Sequence, residues 1–451
     1  PITASFIHKN FLLWSKTPIG THPIFKNMRT ILVNNTYSIT FYFHPNTITE
    51  DSILTLATLP ILPKEWLNQQ KCGTYKDVTV SGPYALSSKK IKEIKIFEKI
   101  KDFWAENLFV NKGRYNFDTI EFHYFHNLVS LFEALAKGEI DLISYSFLGE
   151  DDIVKQLEER YQKIPQLKFS KNISGLPRGA EALVFNLRLK KYQNMYLRQA
   201  LTKLFDFASL NTLFYKQEMQ RYKSFYENTL VQSVFPKKVG NTCLGLKGTS
   251  KSYVYDIRKQ YAVVFELLEK AGYHFINGRW VDSKTNETLH IIIYCDQKKF
   301  YKPLEYWAAS ARSIGLSIHV KKISAEEGKT LKKTGQFELI THQWKQGKIP
   351  SRYQSSLWAK DGAQNFMGLV NPFIDDLTYE ILNEKDLNKY FSLVRELDKR
   401  LKQENFVIFL YYDPYERIFY QNSIQGPPAQ TGIPSHYVSW WHVNQGRVNE
   451  E

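Results

Sequence analysis

An α/β protein, with mixed sheets flanked by helices, is what this 451-residue sequence predicts. Three stretches carry the prediction. Residues 109–146 run from an alternating TIEFHYFH through an apolar helical stripe at Leu131 and Leu135 to the short apolar IDLIS. Residues 261–282, YAVVFELLEKAGYHFINGRWVD, read as a helix and then a hairpin. Residues 287–323 place the helical YKPLEYWAASARS between the strands ETLHIIIYCD and IGLSIHVKKI. Strands that alternate with helical patterns imply a mixed or parallel sheet with helices on its faces.

Each element has a local reason. PITASFIHKNFLLWSK reads as a short helix, followed by the turn PIGTHP at 18–23. The alternation in YSITFYFH, within 33–45, predicts a half-buried strand. Two prolines in LATLPILPKEW (56–66) end any helix and force an extended turn. From 81 to 185, short strands with one or two helices close on the apolar ALVFN. Gly138 suits the left-handed residue that closes the helix before it, and Gly272 does the same after ELLEKA. Asn277-Gly278 predicts a tight hairpin turn. YLRQALTKLFDFASLNTLFY repeats apolar residues at three- and four-residue spacings, as an amphipathic helix does. No internal repeat or low-complexity segment interrupts the chain.

Composition narrows the function. An apolar share of 43% is too high for a disordered chain. No run of eighteen apolar residues marks a membrane span. The net charge of +15 raises the question of a nucleic-acid partner. The densest lysine runs, SSKKIKEIKIFEKIKD (87–102) and VKKISAEEGKTLKKT (320–334), interleave acids, which is the look of a solvated face. Nucleic acid is therefore not expected as a partner. Cys72, Cys243 and Cys295 have no metal-ligand spacing and read as small buried hydrophobes. HEXXH, GxSxG, the P-loop and GxGxxG are all absent, so nothing positive points to an enzyme, a metal or a cofactor.

The wording of five ordered blocks says more. RYNFDTIEFHYFHNLVSLFEALAKGEIDL within 109–146, SGPYAL at 81–86, ALVFNLRLKKYQNMYLRQALTKLFDF at 182–207, LFYKQEMQRYKSFYENT at 213–229, and FELITHQWKQ at 337–346 with NFMGLVNPFIDDLTYEIL at 365–382 resemble the family-5 extracellular solute-binding proteins of ABC importers. They are most similar to the YejA-type branch, which carries oligopeptides and microcin-C-like peptides. The resemblance implies a periplasmic-binding-protein fold of two lobes with an extra peripheral domain. It implies residues 1–80 as the remainder of peripheral domain II, 81–186 with 431–451 as domain I, and 187–430 as domain III. Family members begin with a further strand of domain I, so the resemblance also implies that this strand is missing here and that the sheet has an unpaired edge. It further implies a periplasmic monomer that captures a peptide or peptide conjugate without catalysis. Two lobes would close on the ligand and present it to the permease subunits, the protein meeting the membrane only through them.

The same resemblance selects candidate ligand residues. Trp344 follows FELITHQ where the family places an aromatic in the cleft, and Gln346 matches a family Gln two residues on. Asn365 resembles the family's Asn ahead of an xxG turn, and its amide could pair with peptide backbone. Tyr145 and Ser146 end a strand, where loops of α/β proteins hold ligands. Asn186 stands at the crossing into domain III, and Arg221 matches a family loop. Tyr353 sits in KIPSRYQ, where relatives carry Asn-Glu, which argues against N-terminal amine recognition of the usual kind. Two rival readings stand beside the importer: a truncated, non-transporting receptor-like module for interaction or chaperoning, and a basic nucleic-acid-binding protein.

Overall fold

A computed structural model describes residues 2–16, 23–44, 56–62, 81–87, 92–145, 152–232, 250–426 and 440–442. The chain divides into two compact units, one of residues 1–145, 155–172 and 416–451, the other of residues 146–154 and 173–415.

The first unit opens with the helix Ala4–Ser15, capped by Thr3, whose hydroxyl accepts from the Phe6 N–H at 3.3 Å. Asn10, fully buried, accepts from the Leu62 N–H at 2.6 Å and donates to the Leu62 carbonyl at 3.3 Å. One amide thus ties the helix to the proline-bounded stretch around 60. The predicted strand at 33–45 is β2 (Ser38–Phe43), and it pairs in an antiparallel hairpin with β1 (Met28–Asn35), a partner the alternation did not reveal. Next, β3 (Tyr84–Leu86), β4 (Ile94–Lys99) and β5 (Thr119–His123) form an antiparallel sheet. The helix Leu128–Lys137 follows, capped by Asn127 and closed by Gly138 at φ +75°, the left-handed stop the sequence called for. Two more strands, β6 (Leu142–Tyr145) and β7 (Leu167–Ile173), belong to this unit.

The second unit is built on β8 (Ala180–Phe185). All six of its residues are buried. After the short β9 (Gln220–Arg221) come the hairpin strands β10 (Tyr273–Ile276) and β11 (Arg279–Asp282), whose turn places Asn277 and Gly278 at φ +49° and +78°. Both signs are those of the predicted Asn-Gly turn. Then β12 (His290–Cys295), the helix Lys298–Ser313 and β13 (Ser317–Lys322) form the βαβ unit read from 287–323, with the two strands parallel. With β14 (Leu339–Trp344) and β15 (Val407–Phe409) they complete a mixed five-stranded sheet in the order β13-β12-β14-β8-β15. β8 runs antiparallel to both of its neighbours.

The burial of β8 explains its mostly apolar wording, Glu181 being the exception. Leu183 and Phe185 enter one core with residues of the helices Met195–Leu204, Phe207–Tyr215, Ser250–Lys270 and Lys298–Ser313. Ala180, Ala182 and Val184 enter a second core with the helices Pro372–Asn383 and Leu387–Gln403. The sequence put the domain crossing at Asn186, but the second unit takes the chain from Ile173. The reason is the hydrogen bonding of β8 on both edges to strands of that unit.

Arg198, the arginine of YLRQAL, is buried and donates to four carbonyls: Tyr192 at 2.5 Å, Gln193 at 3.1 Å, Glu404 at 2.8 Å and Asn405 at 3.2 Å. Two of these are at the C-terminal end of the helix Leu387–Gln403, where carbonyls lack helical partners. After β16 (Tyr411–Tyr412), which pairs with β9, the chain returns to the first unit as β17 (Tyr415–Gln421), in the order β6-β17-β7. A last ladder joins β18 (Ile424–Gln425) to β19 (Trp441–His442), and Trp440 packs in a small core with Ile418 and Ile424.

The strands β3, β4 and β5 are mostly half-buried or exposed, in contrast to β8. Amide exchange is therefore expected to be faster across 81–180 than across 190–340, since opening free energy follows local packing. Mass-resolved exchange with equal protection in both regions would contradict this.

Candidate functional site

In FELITHQW the side chains alternate across β14. Ile340 and Trp344 face the second core, while Leu339 faces the first. Trp344 pairs across the sheet with Ala180, so the strand's end lies beside the residues that lead into β8. Gly179 is there at φ +69°, and a Cβ on it would come within 1.9 Å of the Trp344 carbonyl oxygen and 3.2 Å of the Gln346 nitrogen. Only glycine fits this approach. A third segment joins from 222–232: Gly179 bridges Glu227, and the Arg178 N–H donates to the Glu227 carbonyl at 2.9 Å.

Two buried carboxylates are already occupied. Glu227 accepts from Gln232 Nε2 at 2.6 Å and from the Lys223 N–H at 3.0 Å. Glu181 takes Lys299 Nζ at 2.7 and 2.8 Å and the Tyr222 hydroxyl at 3.4 Å. Burial, with Glu181 nearby, pushes the Tyr222 phenol up and keeps it a donor. Three N–H groups at this end of the sheet are buried with no hydrogen-bond partner: Arg178 Nε, Trp344 Nε1 and Gln346 Nε2. An unmet buried donor costs about 1–3 kcal/mol, so three in one neighbourhood are a marked exception to ordinary satisfaction. The Arg178 guanidinium lies 5.3 Å from the Tyr412 ring centroid.

Trp344 is 3% exposed and is held by rings on several sides: Phe225 at 5.4 Å, Trp358 at 5.3 Å, Phe366 at 6.5 Å and His342 at 4.7 Å. It is a core residue with an unmet polar edge, not a wall lining open space. Burial lowers the His342 pKa to about 3; the Lys332 ammonium adds to this and Asp296 opposes it. An unfolded histidine titrates near 6.5, so as pH falls the unfolded chain takes up its proton first. Stability is then full above about pH 6.5 and declines toward about 3, at up to roughly 1.4 kcal/mol per pH unit from this group. Urea midpoints between pH 7 and pH 4 should fall less steeply in His342→Phe; parallel slopes would remove His342 as a source of acid sensitivity.

The other candidates from the sequence divide sharply. Asn365 is buried and its amide is spent in its own turn: Nδ2 donates to the Ala359 and Leu369 carbonyls at 2.9 and 2.7 Å, and Oδ1 accepts from the Leu369 N–H at 2.9 Å. Asn186 is also spent, donating to the Gly335 and Phe337 carbonyls at 2.9 and 2.8 Å. Tyr145 is buried in the first unit and donates to Glu158 at 2.8 Å, beside the fully buried Arg417. Arg221 donates to the Phe409 carbonyl at 3.1 Å and lies over the Phe205 ring at 5.2 Å, which makes it a tie between segments. Tyr353 is half-buried next to Arg352, itself buried over the Tyr390 ring at 4.5 Å. Ser146, Cys72 and Cys243 lie outside the described residues. Cys295 is buried and its thiol is pushed up to about 11, chiefly by that burial.

Of the predicted residues, then, Trp344 and Gln346 come together with unmet donors. Arg178 and Gly179 were missed. The signal for them was Pro177-Arg178-Gly179 immediately ahead of the mostly apolar strand AEALVF.

Residues 1–366 match the sequence profile of the bacterial extracellular solute-binding proteins, family 5, middle region. The chain belongs to this family. A candidate binding protein of Brucella melitensis biotype 1 is 25% identical over 435 residues, covering 90% of this chain and 70% of that protein. The Probable peptide-binding protein YejA of Agrobacterium fabrum is 23% identical over 434 residues, covering 86% of this chain and 68% of its own length. The fold is shared with the oligopeptide-binding protein AppA of Bacillus subtilis, solved in complex with a nonapeptide. That structure has a TM-score of 0.68 at 14% identity and covers 98% of this chain and 84% of AppA. The α/β, binding-protein-like fold expected from the sequence is thus the fold of this family-5 protein. Among the described residues no helix is long and apolar enough to cross a membrane.

Proposed function

We propose that this family-5 protein is the periplasmic component of an ABC importer that captures oligopeptides or peptide conjugates and delivers them to the membrane permease. The observation that carries this reading is the set of unmet N–H donors on Arg178, Trp344 and Gln346. Backbone and terminal oxygens of a peptide supply the acceptors that such donors require. The relatedness to YejA, a probable peptide-binding protein, supports the same ligand class. The protein works as a monomer, by binding alone, with no cofactor, and residues 1–80 form its peripheral domain.

Mass spectrometry of what co-purifies with the protein tests the ligand class directly. Peptides or peptide conjugates are the expected finding, with calorimetric binding of the recovered species to the emptied protein. Recovery of a metal chelate or a sugar in stoichiometric amount would overturn the peptide reading. Capture by closure of two lobes predicts a smaller radius of gyration in small-angle scattering when that species saturates the protein.

A further inference from the structure

We propose that the Arg178–Trp344–Gln346 end of the central sheet is a carboxylate subsite, which selects solutes carrying a free carboxylate. The inference rests on the solute-binding reading above and names the chemistry of one end of the ligand.

Each of the three side chains offers a buried N–H with no acceptor. They belong to segments in direct backbone contact, since Gly179 leaves no room for even a methyl group against Trp344 and Gln346. The neighbouring acids hydrogen-bond elsewhere. Glu227 is held by Gln232 and the Lys223 N–H, and Glu181 is held by Lys299 and Tyr222. Among the described residues no carboxylate forms an ion pair with Arg178. The strand then runs into Lys345 and Lys348, both exposed, which add positive charge near the buried Glu181 and Glu227. Neutral peptide carbonyls would satisfy the indole and the amide, and a carboxylate would add a charge-assisted bond to the guanidinium. A planar carboxylate can accept from several N–H groups at once. It can come from a peptide's C-terminus or from an acidic side chain.

The test uses the full chain labelled with 15N on its indoles. The Trp344 signal is assigned by its loss in Trp344→Phe and then followed through titrations with sodium acetate, sodium phosphate and sodium chloride at constant ionic strength. A saturable shift with acetate alone, lost in Arg178→Gln and weakened in Gln346→Leu, is the expected result. No shift, or the same shift with chloride, overturns the subsite; a response to phosphate without acetate overturns the carboxylate assignment in favour of a phosphoryl group.

Calorimetry with pentaalanine, its C-terminal amide and the amide of Ala-Ala-Glu-Ala-Ala then separates the sources. Binding of the free acid about tenfold tighter than the plain amide assigns the C-terminus, while the same gain for the glutamate peptide assigns a side chain. An acetate response with no binding of any peptide leaves the subsite standing and overturns the peptide reading. Equal binding of all three with a silent indole does the reverse.

Discussion

Trp344→Ala is expected to lower the unfolding free energy by about 3–5 kcal/mol, the range for deleting a large buried aromatic, and to abolish ligand capture with it. On the sequence alone Trp344 stands where the family places a cleft aromatic, so this substitution reads as a binding variant. The packing reverses that expectation. The indole touches Phe225, Trp358, Phe366 and His342, and its removal would empty the middle of the second core. Trp344→Phe separates the two roles in large part, because it keeps an aromatic ring in the core while removing the N–H together with part of the indole's bulk. Its folding loss should be small against that of the alanine variant, while binding of the recovered ligand falls by about 1–3 kcal/mol. Urea unfolding and calorimetry on the two variants check both halves. Full affinity in Trp344→Phe would show that the indole N–H meets no ligand.

Arg198→Met should cost about 3–5 kcal/mol, although it lies in neither core's centre and touches no candidate ligand residue. Methionine replaces the apolar stem but offers no donor. The carbonyls of Tyr192, Gln193, Glu404 and Asn405 would all lose a bond to the guanidinium, in a place where burial keeps water scarce. Burial already depresses the Arg198 pKa, with Glu404 opposing, and the charge persists because these four oxygens surround it. A midpoint shift equivalent to less than about 1 kcal/mol would mean that the freed carbonyls find other donors. Lysine at this position should rescue only a fraction, since a single ammonium with three donors cannot replace the guanidinium fork at four carbonyls.

Much of the architecture was legible because it rests on periodicity and on single residues with special backbone freedom. The strand–helix–strand unit of 287–323 appears as β12, the helix Lys298–Ser313 and β13. Gly138, Gly272 and the Asn277-Gly278 pair all take the positive φ that their positions suggested. The hairpin partner β1 was hidden because MRTILVNN lacks clean alternation, and its burial likewise keeps no strict two-residue period. The site was less legible, for a specific reason. An asparagine's sequence neighbours do not say whether its amide is free. Asn365 finds its partners within six residues, whereas Asn186 finds them about 150 residues away, at Gly335 and Phe337. Arg178 shows the converse, since its unmet N–H is visible only once the strands are laid side by side.

The strand β8 has consequences for how this chain can vary. Five of its side chains are divided between two cores, the sixth is the buried Glu181 held by Lys299 and Tyr222, and both of its edges are taken, so it has no position where a new residue meets water. A library saturating Ala180–Phe185 and selected for ligand capture should retain almost nothing but the parent at each codon. Survivors at Ala182 or Val184 should carry a compensating exchange on the helices Pro372–Asn383 or Leu387–Gln403, whereas survivors at Leu183 or Phe185 should carry theirs on the helices of the opposite layer. Variation in this strand is thus expected to arrive in pairs, and the location of the second change reports which layer the first one disturbed.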